Sequence, residues 1–292
     1  MDVLPYILVT AVTVGAMYSL ATLGLSLVWG AMGMLNMAHG TMLTLGGYAA
    51  YSAVTTLGLP WYFGFVAAIL LGALVGAILY YGLVRFMLRN PAFETNIIIA
   101  TVGIAIALEN LVLKIYGGQP LGQPVSLHGT LRLGVVPVQT QNILIVVMSV
   151  TIMVLVAWTL KTSRVGRAIR ATAQNREAAQ LMGVPIRKVY LKVLAISGAL
   201  AGVSGVLLSS LTQLSPPLGN DPMLKAFIMC VVAGLGNLPG SVLAAFVLAL
   251  VEACTQFYLG ARWGFPVLLI LVILALIWRP YGVFGRTQVT RL

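Results

Sequence analysis

The sequence predicts an all-α fold, a polytopic transmembrane helical bundle of about nine spans, and three observations predict it. Hydrophobic residues make up 60% of the 292 and charged residues only 8%, whereas a water-soluble domain has about a quarter of its residues charged. No Asp, Glu, Lys or Arg occurs between Asp2 and Arg85. As helix, that stretch is roughly 120 Å long, enough for three crossings of a ~30 Å hydrocarbon core. The formal net charge of +11 is gathered into a few polar segments, the pattern of a chain sorted by membrane side and not of a nucleic-acid binder. A soluble globule is excluded. Cys230 and Cys254 lie in apolar segments with no disulfide-framework or metal-ligand spacing, so both are expected as small core residues.

Apolar runs bounded by Gly and Pro delimit the spans in order. The first, 6–29, follows an N-terminus without the basic region of a cleaved signal peptide, so it is expected to remain as a span. It ends at Gly30–Gly33. The second, 36–57, stops at Gly58-Leu59-Pro60, and the third, 61–84, runs toward Asn90-Pro91. The fourth, 96–116, ends at Gly117-Gly118, and the fifth, 142–160, leads into the long polar segment. The sixth, 193–213, ends at Ser215-Pro216-Pro217. The seventh, 222–236, is short and Gly-bounded, and either crosses or re-enters. Asn237-Leu238-Pro239-Gly240 separates it from the eighth, 239–258, and the ninth is 264–279. Trp61, Tyr62, Tyr80, Tyr81, Tyr116, Trp158, Tyr258, Trp263 and Trp278 sit at span ends, as interfacial belts require.

Lys and Arg orient the chain. With nine crossings, Arg85, Arg89, the eight basic residues from Lys161 to Lys192, Arg279, Arg286 and Arg291 share one side. Lys114, Arg132 and Arg262 take the other, and Lys225 sits near a span end. The richer side is expected to be cytoplasmic, with the N-terminus outside and the C-terminus in the cytoplasm. A re-entrant seventh span would place the three C-terminal charges outside, which favours nine crossings.

One permease domain over 1–292 is expected, with halves at about 1–160 and 193–292 around a cytoplasmic loop, 161–192. Met42 to Ile78 and Met223 to Ala253 both read as an apolar run, a Gly/Pro break and a small-residue helix. Five spans separate the corresponding helices, an odd number, so the halves point oppositely. That is an inverted repeat with broken or re-entrant helices; chance likeness among apolar helices is the alternative.

Within Lys161–Lys192 lie eight basic residues and one acid, Glu177. Asn175 is a suitable N-cap, Glu177 suits the first turn, and Gly183 followed by Pro185 is a strong stop. A two-turn helix is expected, small on one surface through Ala178 and Ala179 and apolar through Leu181 and Met182. Such a helix can dock into another protein's cleft. Arg164, Arg167 and Arg170 fit anionic lipid headgroups equally well.

Glu177-Ala178-Ala179 with Gly183 resembles the EAA loop of bacterial ABC importer permeases. The resemblance implies that Arg176, Glu177, Ala178, Ala179, Leu181, Met182 and Gly183 form a coupling helix seated in a groove of an ATPase subunit. Gly24-Leu25-Ser26-Leu27-Val28-Trp29-Gly30, Asn36-Met37-Ala38-His39-Gly40, Gly46-Gly47-Tyr48 and Gly234-Leu235-Gly236-Asn237-Leu238-Pro239-Gly240 carry it further. They look like the H-type permeases of branched-chain amino acid ABC importers, whose close relatives serve urea and short amides. Matches recur from about residue 15 to residue 285. Many members carry an acid just after Asn-x-Ala-His-Gly, where this chain has Thr41, which bears on the substrate more than on the class. The resemblance implies a homologous M-type permease as heterodimer partner, two cytoplasmic ABC ATPase subunits and an extracytoplasmic binding protein. It also implies the bacterial inner membrane.

Ionisable groups within a membrane cost ~2.5–3.5 kcal/mol each on insertion scales, so each requires a reason. Asn36 and His39, with Gly40, mark the break before the second span. A broken helix exposes polar groups to a substrate path, and capping or cross-helix bonding explains the same residues. Glu109 and Glu252 fall in the outer halves of the fourth and eighth spans, with Asn110 and Gln256 beside them. They either face one cavity and hold an ammonium group, or pair with Lys114, Arg262 or a partner subunit. Asp221 reads as outer-loop turn chemistry or a binding-protein contact.

Gly72-x-x-x-Gly76 and Gly198-x-x-x-Gly202 are small-residue helix contacts, within the chain or between subunits. Gly202-Val203-Ser204-Gly205 spells the Gly-x-Ser-Gly of rhomboid intramembrane proteases, which need a His base, and only His39 and His128 exist. No Gly-x-x-x-x-Gly-Lys-Ser/Thr and no metal-ligand spacing occurs, so no cofactor is expected in this chain and ATP belongs to partners. The expected function is a non-enzymatic importer permease for branched-chain or related hydrophobic amino acids. A urea or amide permease, a secondary carrier or channel, and an intramembrane serine protease are the alternatives.

Overall fold

In the computed structural model, which describes residues 3–88, 93–127, 129–133 and 136–285, each of the nine expected spans is helical. Arg89, Asn90-Pro91, His128, Arg286 and Arg291 lie outside the described residues. Helix α1 (Leu4–Met32) has Pro5 in its first turn, where a missing N–H costs nothing, and stops at Gly33, whose φ is 65°. Helix α2 (His39–Tyr51) is extended by a π-helical turn, Ser52–Thr56. Helix α3 (Trp61–Leu79) continues through a second π-turn, Tyr80–Val84, into the short α4 (Arg85–Met87). Then come α5 (Phe93–Tyr116), a hairpin of β1 (Thr130–Leu133) and β2 (Val136–Gln139), and α6 (Thr140–Thr162). The hairpin pairs Thr130 with Gln139 in antiparallel register, an element that no apolar run marks in the sequence.

The polar segment is more structured than the loop expected. It folds as α7 (Arg164–Gln174) and α8 (Arg176–Leu181), and α9 (Ile186–Leu211) starts early enough to carry Arg187, Lys188 and Lys192. Helices α10 (Asn220–Ala233), α11 (Leu238–Leu259) and α12 (Gly264–Trp278) complete the chain, the last preceded by the 3-10 turn Ala261–Trp263.

Seven of these helical stretches are long and apolar enough to cross a membrane. The second and seventh spans are the exceptions. Helix α2 starts only at His39 and hands over to its π-turn after 13 residues. Helix α10 has 14 residues between Gly219 and Gly234, so it is ~21 Å long against a ~30 Å hydrocarbon core.

Helices α1 and α9 are enclosed by the rest, and they run antiparallel. The Ser204 hydroxyl of α9 donates to the Met17 carbonyl of α1 at 3.2 Å, and further along Gly24 packs beside the Ser197 carbonyl. The closest pairings are α3 with α9 and α1 with α11; exchanging the halves exchanges the pairs. Equivalent helices of opposite direction are what an inverted repeat requires. Where α3 crosses α9, a Cβ on Gly72 would run into the Gly198 carbonyl, and one on Gly198 into that of Gly72. The Gly-x-x-x-Gly pairs therefore serve contact within the chain.

Ile99 and Ile106 on α5, Val154 and Trp158 on α6, and Ile273 and Ile277 on α12 are exposed, as lipid-facing residues would be. Two residues assigned to the aromatic belt point inward instead. Tyr80 is buried against the start of α9. The Tyr116 hydroxyl meets Ser52 Oγ at 2.6 Å, and its ring packs on Tyr48 at 4.4 Å.

Candidate functional site

Helix α8 is built by three local devices. Asn175 Oδ1 accepts the Ala178 N–H at 2.9 Å, the N-cap that the sequence predicted. At the other end Gly183 adopts φ 81°, a conformation that costs other residues ~1–2 kcal/mol. That turn lets Val184 N–H return to the Ala179 carbonyl at 3.0 Å. Between the clips, Ala179 is buried among Ile186, Val189 and Tyr190. The Arg176 guanidinium lies 5.6 Å from the centroid of the Tyr190 ring, which ties the helix start to α9.

This anchoring leaves the opposite surface free. Arg176, Glu177, Ala178 and Gly183 are exposed, and Leu181 and Met182 are 89% and 85% exposed. Of the seven residues expected to form the coupling helix, six are therefore exposed, Arg176 among them although its guanidinium lies along Tyr190, and Ala179 is the internal anchor. Two adjacent apolar side chains are thus held outside the chain on a two-turn helix.

The membrane polar residues divide into a joint and an ion-pair cluster. Asn36, His39 and Gly40 are buried. Asn36 Oδ1 accepts the Ala38 N–H at 3.1 Å, a local turn. His39 bridges two helices, with Nε2 3.0 Å from the Ala21 carbonyl of α1 and Nδ1 3.4 Å from Ser197 Oγ of α9. Gly40 packs on the Gly219 backbone, and Gly219 N–H donates to Thr44 Oγ1 at 3.0 Å. The first turns of α2 and α10 thus meet. The His39 N–H donates to the Asn36 carbonyl at 3.2 Å, while the two side chains bond their surroundings and not each other.

Glu109 and Glu252 are not brought together, a correction to the shared-cavity expectation. Glu109 Oε2 lies 3.5 Å from Asn220 Nδ2. Glu252 is buried, and its Oε1 accepts from Lys225 Nζ at 2.5 Å and from Gln256 Nε2 at 2.9 Å. Asn220 and Lys225 are five residues apart on α10, about 140° around a helix, so the two carboxylates approach it from different sides. The partner of Glu252 is therefore Lys225, and neither Lys114 nor Arg262. The missed signal was a lone lysine in a short apolar helix, which calls for a named counter-charge. Lys225 also donates to the Tyr18 hydroxyl at 3.1 Å. Asp221, assigned to a loop, lies in the first turn of α10, where its charge suits the helix N-terminus.

Ser204 is buried and its hydroxyl is spent on Met17, while His39 faces Ser197 and Ala21. Gly-x-Ser-Gly is thus a small-residue packing pattern, because no base reaches its serine among the described residues. Cys230 and Cys254 are unbridged; Cys230 is buried as expected of a core residue, whereas Cys254 is only half-buried.

The family model described as branched-chain amino acid transport system / permease component matches residues 7–277. The chain is 29% identical over 293 residues to the high-affinity branched-chain amino acid transport system permease protein LivH of Escherichia coli (strain K12), covering 96% of this chain and 95% of that one. It is 30% identical over 298 residues to the corresponding permease BraD of Pseudomonas aeruginosa, covering 98% and 97%. Among solved structures, PsaBC from Streptococcus pneumoniae in complex with Fab superposes with a TM-score of 0.52 at 14% identity, over 94% of this chain and 91% of that one; this shows a shared fold.

Proposed function

We infer the role of this chain from one premise: it belongs to the branched-chain amino acid transport system permease family. It is a multi-pass membrane permease, and its finer role is that of one membrane half of an ABC importer carrying branched-chain amino acids into the cytoplasm. The partners are a homologous M-type permease, two ATPases and an extracytoplasmic binding protein. The chain itself is not an enzyme and carries no cofactor, with ATP held by the ATPases. The N-terminus lies outside and the C-terminus in the cytoplasm.

The observation that carries this reading is the near-complete exposure of Leu181 and Met182 on a helix locked by Asn175, Ala179 and Gly183. An apolar pair so presented gains free energy when a partner covers it, and a groove on an ATPase subunit would do so. Closure of the ATPases on ATP would push α8, and Arg176 and Ala179 would pass the movement to α9. Because α9 is antiparallel to α1 and joined to α2 through His39, the halves would rock about the joint at Gly40 and Gly219.

The test is transport by the complete complex in proteoliposomes, comparing wild type with Leu181→Asp/Met182→Asp. Normal assembly of the permeases, with leucine uptake and substrate-stimulated ATPase activity reduced at least tenfold, is the expected result. Uptake that persists in the variant, or that needs no ATPase, would sink the importer reading in favour of a carrier or channel.

A further inference from the structure

The polar cluster in the other half of the bundle has unspent bonding capacity. Lys225 has three N–H donors and, among the described residues, uses two, on Tyr18 and Glu252. Glu252 is 3% exposed, and its Oε2 has no hydrogen-bond partner among the described residues. Both residues line one cavity of about 230 Å³, together with Tyr18 and Gln256. A water occupies ~30 Å³ in the liquid, so the space suits a ligand the size of an amino acid. Its remaining wall is mostly apolar, through Val14, Met17, Leu208 and Ala249, with Thr10 and Thr212 as the polar exceptions. Leu208 lies 18 residues along α9 from Tyr190, ~27 Å, so the cavity is remote from α8.

We propose that this cavity is a binding site for the zwitterionic head of an α-amino acid during translocation. Its carboxylate takes the third Lys225 N–H, and its ammonium donates to Glu252 Oε2, which is closed off from the cavity in this structure and is reached by a turn of the carboxyl group. The proposal deepens the importer reading and rests on it. Charge bookkeeping favours a zwitterion over an ion. The Lys225–Glu252 pair is neutral as a whole, so a zwitterion satisfies both spare groups without adding net charge inside the membrane. A cation would face the Lys225 ammonium and an anion the Glu252 carboxylate. The apolar wall receives an aliphatic side chain.

The probe is a photoreactive diazirine analogue of leucine, applied to the complete importer complex and mapped by mass spectrometry. Adducts are expected in segments 10–18 and 249–256, competed by excess leucine. Glu252→Gln should lower that labelling and leucine uptake roughly ten- to hundredfold, the range for a lost charge-assisted bond. Because Glu252→Gln alone strands a buried lysine, Lys225→Met/Glu252→Leu is the second variant. An apolar pair of similar volume generally preserves folding, so assembly of the complex should persist while labelling is lost. Labelling confined to other segments, or unchanged in both variants, overturns the site. Leucine uptake by the wild type separates the two ideas. With uptake intact, absent labelling removes the site alone; without uptake, the importer reading and the site fall together.

Discussion

Gly72 on α3 and Gly198 on α9 sit backbone to backbone, so closely that neither position has room for a Cβ. The same two helices touch again on either side of that crossing, Gly76 against the Leu194 carbonyl and Gly202 against that of Ala68. Close approach without side chains maximises dispersion contact where lipid and Leu are equally apolar.

Enlarging that seam should therefore cost stability. Gly198→Val is expected to destabilise the purified permease by at least about 2 kcal/mol, because backbone and not a flexible side chain must yield. Aggregation temperature read by size exclusion would report it. Gly82, beside which a Cβ meets nothing within 4 Å, should accept Ala with little change. An unaltered Gly198→Val would mean that the helices do not approach as described.

The turn after α8 should discriminate among substitutions by backbone conformation. At φ 81°, Gly183→Asn should retain most transport, whereas Gly183→Val should lose most of it at normal expression. Uptake in proteoliposomes measures the difference. Equal behaviour of the two would show that space, and not backbone conformation, matters there.

Removing the cap should loosen α8 without unfolding the bundle. Asn175→Ala is expected to cost ~1 kcal/mol, and Asn175→Asp to restore most of it. Hydrogen exchange of the Ala178 amide, bonded to Asn175 in the native chain, should accelerate about fivefold in the alanine variant.

The Lys225–Glu252 pair should show strong non-additivity. Lys225→Met alone leaves a buried carboxylate uncompensated and should cost ~3–5 kcal/mol, while Lys225→Met/Glu252→Leu should recover most of that loss. Thermal unfolding of the four proteins closes the cycle. Additive losses would mean that the two groups are not paired.

Orientation is accessible to labelling. With Cys230 and Cys254 replaced by Ala, Leu181→Cys should react with a membrane-impermeant maleimide in inside-out vesicles and be protected in intact cells. The reverse pattern would place α8 outside and refute an ATPase partner.

What the sequence by itself determined was local or periodic. Uninterrupted apolar runs located the helices, and Gly and Pro located their breaks, because each span must satisfy its own backbone in lipid. The Asn175 cap and the Gly183 stop were legible because capping couples residues three or four apart. Only the tertiary structure decided which groups meet across helices. Glu252 could have answered Glu109, Lys114 or Arg262, and it is Lys225 that reaches it, on a helix between Gly219 and Gly234. Ala179 looked like part of a docking surface and is instead the inward anchor, since a six-residue helix has no period long enough to mark its buried face. Side chains in a bilayer carry no solvent-facing stripe to show which face packs inward. Partners on separate helices are therefore chosen by crossing geometry, at close approaches such as that of Gly72 and Gly198.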